Sequence, residues 1–265
     1  MSATRAFVDG KPASTAALIR FARSGYGHFT TMQVRGGGVR GLGLHLARLE
    51  QATALLFDAP LELALLRGQM RAALAASPDA SLRIRIGARN FNARAMPAPA
   101  RIETLLLVDP PAPARTEPVR LASFQHLRYL PQLKHCGNFD LFELRRRALA
   151  LGFEDALLLD AHGHIAEGTT FNIGFFRGDD LIWPQAEKLE GTTQQLLQRG
   201  FAAAGGKNHT RPITQADLAS FDGGFCCHSG GIWPLATIDT TTLPLHVAAM
   251  DLLQRLWAEQ THDPV

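Results

Sequence analysis

Three stretches of the chain hold residue types that could do chemistry. Lys134 lies in Leu133-Lys134-His135-Cys136-Gly137-Asn138-Phe139, among mostly uncharged neighbours. A lysine withdrawn from water loses basicity and can attack a carbonyl to form a Schiff base, whereas a solvated lysine is only a surface charge. Glu167 stands in Ile165-Ala166-Glu167-Gly168-Thr169-Thr170, between a β-rich run and a glycine-threonine turn. It reads either as a cap or as a buried acid with a cationic partner. Glu190-Gly191-Thr192-Thr193 opens a helix that runs on through Gln194-Gln195-Leu196-Leu197. A glycine there lets a ligand approach the backbone, and threonine hydroxyls with the unpaired amides of a first helical turn can hold an anion. Plain N-capping by threonine is the alternative.

Other clusters carry less. Gly36, Gly38 and Gly41 spell a Gly-x-Gly-x-x-Gly fingerprint, but five glycines crowd this segment and Leu42-Gly43-Leu44 delay the helix, so a hairpin turn is expected instead of a dinucleotide site. No Gly-Lys-Ser/Thr triplet of a phosphate loop occurs. His162-Gly163-His164 after Asp160 reads as a turn between strands. Cys226-Cys227-His228 lacks a chelating spacing, so no metal is expected. Arg145-Arg146-Arg147, with Glu143 just before, reads as a solvated helix face and not a nucleic-acid surface.

The elements that must position these residues follow from periodicity. Residues 5–8, 29–34, 82–86 and 102–108 read as strands; Arg83 and Arg85 share one face of the third, and Leu82, Ile84 and Ile86 the other. Residues 45–57 and 61–76 read as helices. Prolines 110, 111, 113 and 118 exclude a helix and mark the expected boundary between a domain at 1–115 and one at 116–265. Beyond it, 138–151, 194–204 and 248–259 read as helices, and 156–160 and 173–176 as strands. Both halves mix the two, without a strict βαβ rhythm or an internal repeat.

The 265 residues are 46% hydrophobic and 19% charged, with a net charge of +3, ordinary for a globular chain and unlike a disordered one. Lys11, Lys134, Lys188 and Lys207 are the only lysines, so arginine carries the basicity. Three cysteines give no disulfide framework and fit a reducing compartment. Residues 1–11 hold no apolar signal core and no run reaches a membrane span, so a cytoplasmic protein without membrane or nucleic-acid partners is expected.

Taken in order, the lysine, the acid and the glycine-threonine helix start resemble the fold-type IV pyridoxal phosphate enzymes, the class IV aminotransferases. This group includes branched-chain and D-amino-acid aminotransferases and aminodeoxychorismate lyase. The likeness is strongest over residues 133–197 and at His45-Leu46-Ala47-Arg48-Leu49. It implies an α+β fold of two domains, a small N-terminal α/β sandwich and a larger C-terminal α/β barrel-like domain, and pyridoxal 5'-phosphate as cofactor. Lys134 resembles the Schiff-base lysine and Glu167 the partner of the pyridine nitrogen. Arg48, Gly191, Thr192 and Thr193 resemble the phosphate site, with Ser229 as a further hydroxyl. Asn138 matches an asparagine common after the lysine.

Two positions depart from the pattern. Phe139 stands where some branched-chain enzymes place a tyrosine, and Gln33 where many members carry an arginine. Arg85 is then the expected holder of the substrate carboxylate, with Arg83 and Arg89 as rivals, and Phe29 and Gln33 face the substrate. The expected activity is amino-group transfer between an amino acid and a 2-oxo acid. The alternative is the lyase reaction releasing pyruvate and 4-aminobenzoate, since Phe29-Thr30-Thr31 is lyase-like. The resemblance also implies a homodimer with its sites near the interface.

Overall fold

A computed structural model describes residues 4–95 and 100–265; residues 1–3, part of the N-terminal stretch read above, lie outside the described residues. The chain divides into two compact units. The first comprises Met1–Pro113, Leu133–Gly137 and Thr261–Val265, and the second Ala114–Gln132 and Asn138–Gln260. The segment carrying Lys134 therefore groups with the first unit.

The first unit contains β1 (Arg5–Val8), β2 (Lys11–Pro12), α1 (Thr15–Ala22), β3 (His28–Arg35) and β4 (Gly38–Arg40). It continues with α2 (Leu42–Phe57), α3 (Leu63–Leu74), β5 (Ala80–Ala88) and β6 (Ile102–Asp109). One 7-stranded sheet runs from the terminal strand His262–Pro264 through β4, β3, β5, β6 and β1 to β2. Alternation governs it: His28, Thr30, Met32 and Val34 of β3 are buried, while Phe29, Thr31, Gln33 and Arg35 are half-buried on the other face. Leu82, Ile84 and Ile86 of β5 join Met32 and Val34 in a core closed by Leu42, Leu46 and Leu49 of α2 and Leu66 and Met70 of α3. Each such side chain contributes about 1.5–3 kcal/mol by leaving water.

The glycine cluster forms the expected hairpin. Gly36 (φ 55) and Gly37 (φ 76) occupy the turn between β3 and β4 in the left-handed conformation that a two-residue hairpin needs. Gly38 already belongs to β4, so a strand sits inside a run that composition marks as broken.

The second unit contains β7 (Val119–Gln125), α4 (Phe139–Ala150), β8 (Asp155–Leu159), β9 (Ile165–Gly168), β10 (Asn172–Arg177) and β11 (Asp180–Pro184). Next come α5 (Thr192–Ala203), β12 (Lys207–Arg211), β13 (Gly223–His228), β14 (Gly231–Ile238), β15 (Thr241–Thr242) and α6 (Val247–Ala258). Its mixed 9-stranded sheet has the order β12-β11-β10-β13-β14-β7-β8-β9, with β15 paired to β14. Apolar clusters line both faces. Ile173, Phe175, Cys226 and Trp233 point into one; Phe176, Phe225 and Cys227 point into the other with Leu197 and Phe201 of α5 and Leu253 of α6. Adjacent Cys226 and Cys227 thus face opposite ways and cannot converge on one ion. Asp160 accepts from the amides of His162 and His164 and from the His164 ring, closing the β8–β9 turn. The arginine run is more engaged than a bare solvated face: Arg145 pairs with Asp155 at 3.4 Å, Arg146 with Glu143 at 2.7 Å, and Arg147 lies 5.0 Å over Phe124.

Candidate active site

In the first unit, residues 133–137 run along the start of β3. The Phe29 amide donates to Lys134 O at 2.9 Å, and the Cys136 amide to Gly27 O at 2.8 Å. These two bonds fix the backbone on either side of the lysine. Lys134 is half-buried, with its Nζ 5.2 Å from the centroid of the Phe29 ring. The Arg83 guanidinium carbon also lies 5.2 Å from that centroid. Thr31 pairs with Arg83 and Phe29 with Arg85 in the β3–β5 register, so one polar face carries all four.

The other face of β3 meets α2. Thr30 is fully buried, and its Oγ1 lies 2.7 Å from His45 Nδ1 and accepts from Arg48 Nη2 at 2.5 Å. His45 precedes Arg48 by one helical turn, so both reach the same strand position. Burial lowers Arg48 to about 10, which still leaves it charged at neutral pH, and its buried Nε has no hydrogen-bond partner among the described residues. Burial, reinforced by the charges of Arg48 and Lys134, pulls His45 down to about 3. Burial and Arg48 likewise pull His28 down to about 4. Thr53 Oγ1 gives its proton to Leu49 O at 2.7 Å, so His28 Nε2 is the donor in its 3.0 Å contact with that hydroxyl.

Both imidazoles are therefore neutral in the fold and titrate below their ordinary value of 6.5. The unfolded chain binds more protons between these limits, so their contribution is fully present above pH 6.5 and is lost as pH falls toward 4 and 3. Each histidine adds up to about 1.4 kcal/mol per pH unit. The thermal midpoint is expected to drop between pH 6.5 and 5, before most carboxylates titrate, and less steeply in His28→Gln. Identical slopes in the two proteins would remove His28 from this account.

Arg85 is more committed than the sequence suggests. Its Nη2 donates to Ser24 O, its guanidinium lies 5.4 Å over Phe21, its Nε is buried, and the residue lines a cavity of about 20 Å³, room for a single water. Arg89 pairs with Asp9 and Glu103. Gln33 donates to Ser81 Oγ at 3.0 Å and accepts from Arg35 and from the Ala112 amide.

In the second unit, Glu167 is the buried acid with a cationic partner. Its Oε1 accepts from Arg128 Nη1 at 3.2 Å and from the Leu189 amide at 3.3 Å. Both side chains of the pair are buried, Arg128 at 5% and Glu167 at 6% exposure. Helix α5 starts at Thr192, two residues before the periodicity suggests, and Gly191 is its N-cap, with no side-chain capping bond. The threonine N-cap alternative therefore falls. The amides of Thr192, Thr193 and Gln194 precede the first intrahelical bond, which runs from Gln195 N to Gly191 O at 3.1 Å. Thr193 is 1% exposed, yet its hydroxyl has no hydrogen-bond partner among the described residues. Any side chain at Gly191 would run into the Asn172 carboxamide, which is held by Leu189 O at 2.8 Å. Ser229 sits half-buried in the β13–β14 turn.

The sequence model of the amino-transferase class IV family matches residues 27–238. The chain belongs to that family. Among solved structures, this class IV chain is similar to the 4-amino-4-deoxychorismate lyase of Pseudomonas aeruginosa, at 29% identity and a TM-score of 0.82, over 96% of this chain and 98% of that one. A hypothetical aminotransferase of Mycobacterium tuberculosis, solved in its PLP-bound form, shares the fold at 22% identity and a TM-score of 0.76, over 89% of this chain and 88% of that one. The "Probable branched-chain-amino-acid aminotransferase" of Rickettsia conorii is 50% identical over 54 residues, 20% of this chain and 19% of that protein. The chain's match thus spans about a fifth of the length of that curated relative. The fold is that of fold-type IV enzymes, as the sequence led us to expect.

Of the two departures from the family pattern, Phe139 is 84% exposed at the start of α4, and Gln33 is bound within its own sheet. Sequence reasoning missed Arg128, Thr30 and His45. His45 was within reach, because its spacing from Arg48 places both on one helix face. Nothing in the sequence links Arg128 to an acid 39 residues away.

Proposed function

We propose that this protein is a pyridoxal 5'-phosphate enzyme that moves an amino group between an amino acid and a 2-oxo acid. The observation that carries the reading is the pair of cations at Phe29: an amine, Lys134, and a guanidinium, Arg83, each 5.2 Å from one ring. An amino acid substrate needs a base for its α-proton and a fork for its carboxylate.

The chain's residues fit the cofactor. The Thr193 hydroxyl, unpartnered among the described residues, with the open amides of α5 and the bare Gly191, suits a phosphate, as does half-buried Arg48 with its buried, unpartnered Nε. Thr192 and Ser229 are the further phosphate contacts in this reading. When bound, the cofactor supplies an electron sink for the carbanion at the substrate's α-carbon. Lys134 Nζ would hold the cofactor covalently at rest and, once the substrate's amine had displaced it, would be free to take the α-proton. Glu167, oriented through Oε1 by Arg128 and the Leu189 amide, keeps a proton on the pyridine nitrogen. Phe29 walls the substrate, and Gln33 lines the same strand face.

For the substrate carboxylate, the geometry favours Arg83 over Arg85. Arg83 stands exposed beside the ring that Lys134 overlies, whereas Arg85 is occupied by Ser24 and Phe21. A homodimer working in the cytoplasm completes the proposal. It is supported by the exposed apolar Phe139, Phe142 and Leu149 on α4 and by three free cysteines. No helix of the described residues is long and apolar enough to cross a membrane.

The test supplies amino acids singly to the holoenzyme together with a 2-oxo acid acceptor and measures the 2-oxo acid formed from each amino acid, with Arg83→Ala and Arg85→Ala alongside. Release from at least one amino acid is expected, with kcat/KM reduced about thirtyfold in Arg83→Ala and within about threefold of wild type in Arg85→Ala. The reverse order returns the carboxylate to Arg85. The lyase reading is favoured by the likeness to the Pseudomonas aeruginosa lyase along nearly all of both chains. Pyruvate from aminodeoxychorismate, with no 2-oxo acid from any amino acid, would replace the transferase reading with it.

A further inference from the structure

Arg48 is a half-buried cation on a helix, and a phosphate-binding guanidinium works only if its donors point the right way. Three atoms decide that here. Arginine nitrogens only donate, so Thr30 Oγ1 accepts from Arg48 Nη2. The Thr30 hydroxyl must then give its own proton to an acceptor, and His45 Nδ1, 2.7 Å away, is the one in reach. Arg48 Nη2 also stands 3.5 Å from the same Nδ1, which requires a lone pair on that nitrogen. The chain of donation is therefore Arg48 to Thr30 to His45, with the imidazole proton on Nε2. Thr30 is 0% exposed and His45 2%, while Arg48 is half-buried. With the imidazole proton on Nδ1 instead, two donors would aim at one hydroxyl and the Arg48 Nη2 donor would face an N–H.

We propose that Thr30 and His45 are positioning residues that fix Arg48 by one edge, Nη2, and so direct its remaining donors at the cofactor phosphate. The inference rests on the assignment of Arg48 to that phosphate and deepens it. Neither residue touches the reacting atoms. What they control is the discrimination between a phosphorylated ligand and the same ring without phosphate. It follows that the acceptor at the place of Nδ1 is what matters, and that the imidazole's charge plays no part.

The experiment compares dissociation constants of pyridoxal 5'-phosphate and of pyridoxal for the apoprotein, by quenching of intrinsic fluorescence. The quantity read is the ratio of the two. His45→Leu and Thr30→Val are expected to lower the preference for the phosphorylated ligand by roughly five- to tenfold, the worth of one ordinary hydrogen bond. His45→Asn keeps an acceptor near the position of Nδ1 and is expected to stay within about twofold of wild type, as is Thr30→Ser. A merely structural role would weaken both ligands alike and leave the ratio unchanged. Arg48→Ala is the reference and should reduce the ratio more than any of these. If it does so while His45→Leu and Thr30→Val leave the ratio at the wild-type value, the positioning role is overturned and the phosphate assignment stands. If Arg48→Ala itself leaves the ratio unchanged, the phosphate assignment falls and takes the positioning role with it.

Discussion

Replacing Lys134 with alanine is expected to lower turnover by roughly 10⁴-fold or more, because one amine serves both as covalent anchor and as proton carrier. The holoprotein treated with borohydride should carry the cofactor's mass on the peptide containing Lys134, and the variant should carry none. The rival lysines are poorly suited. Lys188 is bound to Glu190 at 2.5 Å, and Lys11 and Lys207 are exposed. A label found on any of them would move the anchor. Retained turnover in Lys134→Ala would dismiss covalent chemistry at this position. The variant should fold normally, since the backbone bonds from Phe29 and Cys136 on either side of the lysine do not involve its side chain.

Removing the Glu167 carboxylate is expected to strike stability and activity together. Breaking one side of a buried ion pair costs about 3–5 kcal/mol, because the partner charge was placed there on the strength of its neighbour. Both members here are about 95% hidden from water, so screening gives little relief. Glu167→Ala should therefore lower the free energy of unfolding in denaturant by that amount. The double variant Glu167→Met with Arg128→Met should recover most of it while remaining inactive, since matched apolar side chains need no counter-charge. An unfolding midpoint unmoved in Glu167→Ala would show that the pair carries no stability. Full activity in the double variant would show that the carboxylate has no part in the chemistry.

What could be read from the sequence followed the physics of burial. Helix α2 and strand β5 were legible because each has one wet face, so apolar and polar residues alternate at the period of the element. The strands of the second unit were harder. Residues 173–176 of β10 were read as a strand, but in β13 nearly every residue is buried on one face or the other, so no alternation survives to betray it. Lys134, Glu167 and the Gly191-Thr192-Thr193 start were visible as residues with chemistry, yet their partners were not. Thr30 is an unremarkable residue in a β-rich run, and only folding brings it to Arg48, 18 residues on. The Arg85 expectation shows the limit from the other side. Alternation correctly put Arg83 and Arg85 on one face, but it could not tell that Ser24 and Phe21 would occupy the second of them.

The strand His262–Pro264 completes a sheet whose other members are encoded long before it. Asp263 Oδ2 receives the Leu42 amide at 3.2 Å across a separation of 221 residues. On the ribosome, at about 5–20 residues per second, that separation corresponds to roughly 10–45 s of synthesis. Throughout that interval the nascent first unit has the helix bearing Arg48 but neither the strand that covers β4 nor the acceptor that caps the helix. An uncovered strand edge is a template for pairing with another chain. Vectorial synthesis therefore leaves this edge of the sheet open until residues 262–264 have been made.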